Sequence, residues 1–160
     1  MVRATAKTTV RGQDKVKKIF KDASELIKAY VTIGLHDPGK RYPDGGPEVF
    51  DVMMWNEFGT RNIPQRSFLR STIAENEALI DSWRMEALEN ILEKNWSIKK
   101  ALGEMGQKIV LLIQKKIRSN VPPPLADSTK KRKQRENKPP VTLIDTGLML
   151  AQVTYKVRYK

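Results

Sequence analysis

Residues 54–73 read MWNEFGTRNIPQRSFLRSTI. In this one stretch an apolar helix end meets a glycine, a proline flanked by arginines, and a second helix start. Upstream, Pro47 suits a helix start and Val49, Val52, Met53 and Asn56 repeat at helical spacing. A short helix is therefore predicted to stop at Gly59, in the position of a left-handed C-terminal cap. Pro64 biases Ile63 toward extended backbone, so "TRNIP" is expected to cross open space before a new helix begins near Ser67, its N-cap. Read one at a time, Trp55 and Phe58 are core, Gly59 a cap and Pro64 a turn. That reading leaves Arg61, Arg66 and Arg70 crowded along one stiff hinge, a layout suited to presenting a hook to a neighbouring subunit.

On the far side of the hinge, Leu69, Ile73, Ile80, Trp83, Ala87, Ile91 and Leu92 predict one amphipathic helix over 68–94, about 40 Å long at about 1.5 Å per residue. Ser97 then caps a further helix through Ile98, Ala101, Leu102, Met105, Ile109, Leu112, Ile113 and Ile117. Before the hinge, Val16, Ile19, Phe20, Ala23, Leu26, Ile27 and Tyr30 predict a helix with lysines on its other face. Period-two alternation predicts strands at 2–10, at 30–35 (Val31, Ile33, Leu35) and at the C-terminus, where Val153, Tyr155, Val157 and Tyr159 alternate with Thr154, Lys156 and Arg158. The fold class is α+β: a small antiparallel sheet packed on one face by helices, one of them long. Residues 1–160 make a single domain with two appendages, the Gly/Pro-rich loop 36–47 and the segment 121–140. The latter holds five of the nine prolines and a basic run, and is read as an arm without apolar periodicity.

The 160 residues contain no cysteine, which excludes disulfides, zinc thiolates and thiol catalysis. No apolar run is long enough to span a bilayer and the N-terminus lacks a signal-peptide pattern, so a soluble chain made inside the cell and no membrane partner are expected. The net charge of +12 suits a polyanion or an acidic protein surface. Its distribution is uneven: residues 1–21 carry seven Lys/Arg against Asp14, 127–138 carry six against Asp127 and Glu136, and 74–94 carry six acids against Arg84 and Lys94. Opposite charges on separate elements suit pairing between copies.

Catalytic chemistry is thinly represented. His36 is the single histidine, with Asp37 and Asp44 nearby, but "HDPG" and "PDGG" read more simply as turns than as a metal or nuclease site. No phosphate-binding glycine motif, serine elbow or His-Glu-x-x-His occurs. The expectation is therefore a protein without enzymatic activity and without a cofactor. Lys130, Lys131, Arg132, Lys133 and Arg135 form a flexible basic arm able to contact phosphates, although no interleaved aromatics support base readout.

The stretch WNEFGTRNIPQRSFLRSTI resembles the signature of the tail-completion or minor tail component family of bacteriophages, related to phage virion-morphogenesis proteins. That signature is Asn-(Glu/Phe)-Phe-Gly-Thr, a short gap, then Ile-Pro-x-Arg-Pro-Phe-Leu opening a helix. It is matched at Asn56, Glu57, Phe58, Gly59, Thr60, Ile63, Pro64, Arg66, Phe68 and Leu69, and Ser67 replaces the second proline. A second segment resembles the family's basic stretch followed by Leu-x-Asp-Thr-Gly-x-Leu, at Leu143, Asp145, Thr146, Gly147, Leu148 and Leu150. The resemblance implies a structural protein of the virion neck, or head-tail joining region, assembled in the host cytoplasm. Its copies would form a ring, often sixfold, between the head connector or adaptor and the tail tube or terminator, with genomic DNA passing through the lumen. Asn56, Phe58, Gly59, Arg61, Pro64, Arg66, Phe68 and Arg70 are the expected subunit or partner interface. The acidic 74–94 helix is expected to face a basic surface of the next copy, one that includes Arg61, Arg66 or Arg70. The alternatives are a basic DNA-binding or packaging accessory protein and a small nuclease built on the His36 loop.

Overall fold

The structure, a computed structural model, describes residues 12–160 except Pro38 and Asp44. The strand expected at 2–10 lies outside the described residues. The chain runs α1 (Gln13–Leu26), β1 (Ala29–Leu35), α2 (Val49–Phe58), α3 (Arg70–Glu75), α4 (Glu77–Leu92), α5 (Ile98–Arg118), α6 (Asp127–Arg135), α7 (Leu148–Gln152) and β2 (Val153–Tyr159). This is an α+β fold whose sheet, among the described residues, has two strands.

β1 and β2 come from distant parts of the chain and pair antiparallel, from Ala29 opposite Tyr159 to Leu35 opposite Val153. The register sets apolar residues against each other: Val31 faces Val157, Ile33 faces Tyr155 and Leu35 faces Val153. Side chains alternate across a strand, so these pairs share one face and Tyr30, Thr32, Lys156 and Arg158 share the other. The longest helix, α5, lies against the apolar face. It starts where the sequence predicts, with the Ser97 hydroxyl accepting the Lys100 N–H at 3.2 Å. Its glycines permit the close approach to Tyr155. A Cβ on Gly106 would stand 2.8 Å from the Tyr155 ring, too near for any real side chain.

Two apolar clusters result. The larger joins Val49 and Met53 of α2, Phe68, Ile80 of α4, Ile109, Val110, Ile113 and Ile117 of α5, Leu143, Met149 of α7 and Val153 of β2. The smaller joins Ala87 and Ile91 to Ile98, Ala101 and Leu102, with Leu26 of α1 packed against it.

Two expectations are corrected here. The helix expected to run unbroken over 68–94 is two helices, because Asn76 leaves helical geometry (φ −122°, ψ 24°). Its N–H reaches Ile73 O at 3.2 Å and its side chain donates back to Thr72 O at 2.8 Å, while its own carbonyl accepts Ile80 N–H to open α4. The hydroxyls of Ser71 and Thr72 bond Ser67 O and Phe68 O in the same way. Such local side-chain bonds compete with a continuous helical ladder. Second, the segment expected as a structureless arm contains α6, with Lys130, Lys131, Arg132, Lys133 and Arg135 all on that helix.

Candidate assembly surface

α2 is apolar nearly all round, a pattern that usually marks a fully buried helix. It is not buried. Val49, Met53 and Glu57, four residues apart, face inward, and Phe50, Met54, Trp55 and Phe58 face out, with Phe58 52 % exposed. The outward set forms an exposed aromatic and methionine face on the helix that opens the hinge stretch.

The inward set ends in a carboxylate. Glu57 is only 6 % exposed, yet every part of its charge is met. Its oxygens accept the backbone N–H groups of Phe68 (2.9 Å), Leu69 (2.9 Å) and Arg70 (3.0 Å), the Ser67 hydroxyl (2.7 Å) and Arg70 Nε (3.0 Å). These amides are the orphan donors at the start of α3, so Glu57 serves as N-terminal cap to a helix that begins thirteen residues later. Burial pushes its carboxyl upward, but the amides of Leu69, Arg70 and Phe68 and the Ser67 hydroxyl outweigh that and hold it below the ordinary glutamate value. Ser67, expected as the N-cap, lies two residues before the actual N-cap Leu69, and it supports the helix start through its bond from Ser71 N–H at 3.3 Å. The main acceptor nonetheless comes from the preceding helix.

Between Glu57 and Ser67 the chain closes on itself and does not cross open space. Thr60 N–H donates to Ile63 O (2.8 Å), Ile63 N–H to Thr60 Oγ1 (3.0 Å) and Arg66 N–H to Asn56 O (2.7 Å). Gly59 ends α2 with its N–H on Trp55 O at 2.9 Å. Its φ of 78° is positive as predicted, although its ψ of 166° is not that of a left-handed helical cap. A Cβ there would stand 3.1 Å from Gln65 N, so the return strand of the turn passes directly beneath it.

The eight interface candidates separate. Phe58, Arg61, Pro64 and Arg70 are exposed, and Asn56 and Gly59 half-buried. Arg66 and Phe68 turn inward and are corrected as interface residues. Phe68 sits in the main core, while Arg66 donates to Pro123 O (2.8 Å) and Pro124 O (3.2 Å), tying the hinge to the proline-rich segment. Arg70 covers the outer side. It bonds the Glu57 carboxylate and main-chain carbonyl, and its guanidinium lies 4.3 Å from the centre of the Phe58 ring.

The basic segment is likewise held. Lys133 is buried and spends its three ammonium protons on the carbonyls of Pro139 (3.3 Å), Val141 (2.7 Å) and Ile144. Arg132 pairs with Glu136 and Asp145, and Lys138 with the same two acids. Lys130, Lys131 and Arg135 stay exposed. Asp145, in the "LIDTGLML" stretch, thus ties α6 to the loop before α7. The two stretches that carried the resemblance meet in one cleft, lined by Val52 and Asn56 on one side and Leu143, Asp145 and Met149 on the other.

His36 is a clasp on the sheet. Its Nε2 lies 2.8 Å from Thr32 Oγ1 and its Nδ1 3.0 Å from Thr154 Oγ1, joining β1 to β2. Burial, with Lys156 and Arg158 nearby, lowers its pKa. No group of three or more metal-ligating side chains converges among the described residues, and none of their helices is long and apolar enough to cross a membrane. No family model, curated protein or solved structure matches the chain.

Neither the capping role of Glu57 nor the outward turn of Phe50, Met54 and Trp55 follows from the sequence reading. A helix with no polar face, in a chain too small to bury it on all sides, is the one signal that pointed there.

Proposed function

We propose that the chain is a non-enzymatic structural subunit of a bacteriophage head-tail junction, a neck or tail-completion protein whose copies form a ring between the head connector and the tail. One observation carries the reading. The outward face of α2 exposes Phe50, Met54, Trp55 and Phe58, with Arg70 over the Phe58 ring and Arg61 exposed in the turn that follows, the aromatic-methionine-arginine composition of protein interfaces, on the helix that leads into the stretch resembling the family signature. The Glu57 cap and the Arg66 anchor hold that face rigid, so little ordering cost attends its docking. A closed ring uses heterologous contacts, in which this face meets a different patch of the next copy. The remaining partners are the connector or adaptor, the tail tube or terminator, and DNA in the lumen attracted without regard to sequence.

The test is the mass of the purified chain, alone and with its tail-tube partner, for the wild type and for Trp55→Glu with Phe58→Glu. Ring-sized assemblies that the double variant loses while keeping its fold are expected. A wild type that stays monomeric under both conditions overturns the reading. The second reading, a DNA-binding accessory protein, is favoured by the exposed Lys130, Lys131 and Arg135 of α6. It predicts tight, steeply salt-dependent duplex binding that charge reversal at Lys131 and Arg135 abolishes.

A further inference from the structure

α1 presents three distinct faces. At about 100° per residue, Lys18, Asp22 and Leu26 share one line, and it is this line that meets the body: Lys18 bonds Asn95, Asp22 is half-buried, and Leu26 packs on the smaller core cluster. Val16, Ile19, Phe20, Ala23 and Ile27 form a second line centred about 120° further round the helix. All five are exposed, Phe20 by 71 % and Ile27 by 84 %. Lys17 and Lys21 border them on the third face. An amphipathic helix normally turns its apolar side to its own core; this one turns it away.

The chain carries a surface of matching character on α4. Met85 and Leu92, two turns apart, are exposed, Met85 by 65 %, and Asp81 and Glu89 stand on the same side of the helix. Asp81 and Glu89 make exposed pairs with Arg84 and Lys94, contacts weak enough to exchange. Glu77 and Glu93 pair with no cation among the described residues. Of the three arginines first expected to meet this helix, Arg66 is committed to the proline carbonyls and Arg70 to Glu57, and Arg61 stays exposed.

We infer that the apolar, lysine-edged face of α1 docks on the acidic, methionine-bearing face of α4 in a second copy of the chain. The inference rests on the proposed self-assembly and names a contact within it. Apolar rows supply the buried area and the lysine and carboxylate edges set the register and reject the reverse pairing. Because the two faces differ, the contact is heterologous and can propagate around a ring.

The natural chain has no cysteine, which makes a disulfide test clean. Full-length Phe20→Cys and Met85→Cys variants are prepared separately, mixed and oxidised. The expected product is a mixed dimer in clear excess over the dimer from either variant alone. Equal yields of all three overturn the inference. Alongside, Phe20→Asp is expected to raise the self-dissociation constant about thirtyfold, the effect of losing a central aromatic anchor, with helical circular dichroism and Tm unchanged. If Tm falls and the dissociation constant does not move, α1 is covered by its own chain, the segment 1–11 included, and the inference fails. Assembly that survives Phe20→Asp but not the Trp55 and Phe58 changes removes this contact and leaves the ring reading standing. A mixed disulfide in a chain that never joins a tail would do the reverse.

Discussion

Glu57 and Lys133 are both buried charges, and the chain solves them with opposite groups. Glu57 is an anion surrounded by amide donors at the start of α3, and Lys133 is a cation surrounded by carbonyl acceptors of the return after α6. Their environments differ in one respect. Around Glu57 burial opposes the charge, but the amides of Leu69, Arg70 and Phe68 and the Ser67 hydroxyl favour it more, so its pKa falls below the ordinary value of 4.5. Around Lys133, burial opposes the charge, Asp145 supports it and Arg132 and Lys138 oppose it again, so its pKa falls below 10.5. The same direction therefore has opposite meanings. Glu57 is held in its charged state by the fold, whereas Lys133 is charged at a cost, which makes the Glu57 cap the firmer of the two anchors.

Removing Glu57 should do the most damage. Glu57→Ala strands the α3 amides and Arg70 in a nearly dry site, and an unfolding loss of about 3–5 kcal/mol is expected by denaturant titration. Lys133→Met keeps the apolar stem and abandons three carbonyls, for an expected loss of about 1–3 kcal/mol. A larger loss for Lys133 than for Glu57 would invert the comparison. Gly106→Ala gains helix propensity but drives a methyl into the Tyr155 ring, and a net loss of about 1–2 kcal/mol follows from overpacking.

Acid should separate the two anchors further. Because the folded pKa of Glu57 is depressed, its contribution is complete above 4.5 and disappears as pH falls through the folded value. Stability measured on the acid side should fall more steeply for the wild type than for Glu57→Gln. Lys133 has the same sign at the alkaline end: its depressed folded pKa makes stability rise as pH climbs toward 10.5, a trend that Lys133→Met should flatten.

Periodicity made most of the frame legible. α1, β1, α2, α5 and β2 each follow from apolar spacing; in β1, α5 and β2 the repeating methyl and ring groups face the core, whereas in α1 the same periodicity marks the exposed side. α6 escaped because its inward residue is Lys133, whose ammonium takes the place of an apolar contact. The break at Asn76 falls in the seven-residue gap between Ile73 and Ile80, where an apolar residue is missing from the helical pattern. The hinge was harder. Arg66 and Arg70 look equivalent in sequence, and only the fold decides that one reaches inward to Pro123 while the other covers Phe58. Glu57 was invisible as a cap because its donors arrive more than ten residues later, beyond the reach of any local capping pattern.

The rigid interior of the hinge stretch exists, on this account, to hold its outer face in place for a neighbour. Sedimentation of Phe58→Glu with Trp55→Glu, beside the wild type and with the tail-tube partner present, tests that most directly. Both side chains are more than a third exposed, so the fold should persist with an unfolding loss of about 1 kcal/mol, the Arg70 contact of Phe58 included, while ring-sized particles vanish. Full assembly by the double variant, or an equally monomeric wild type, would contradict it.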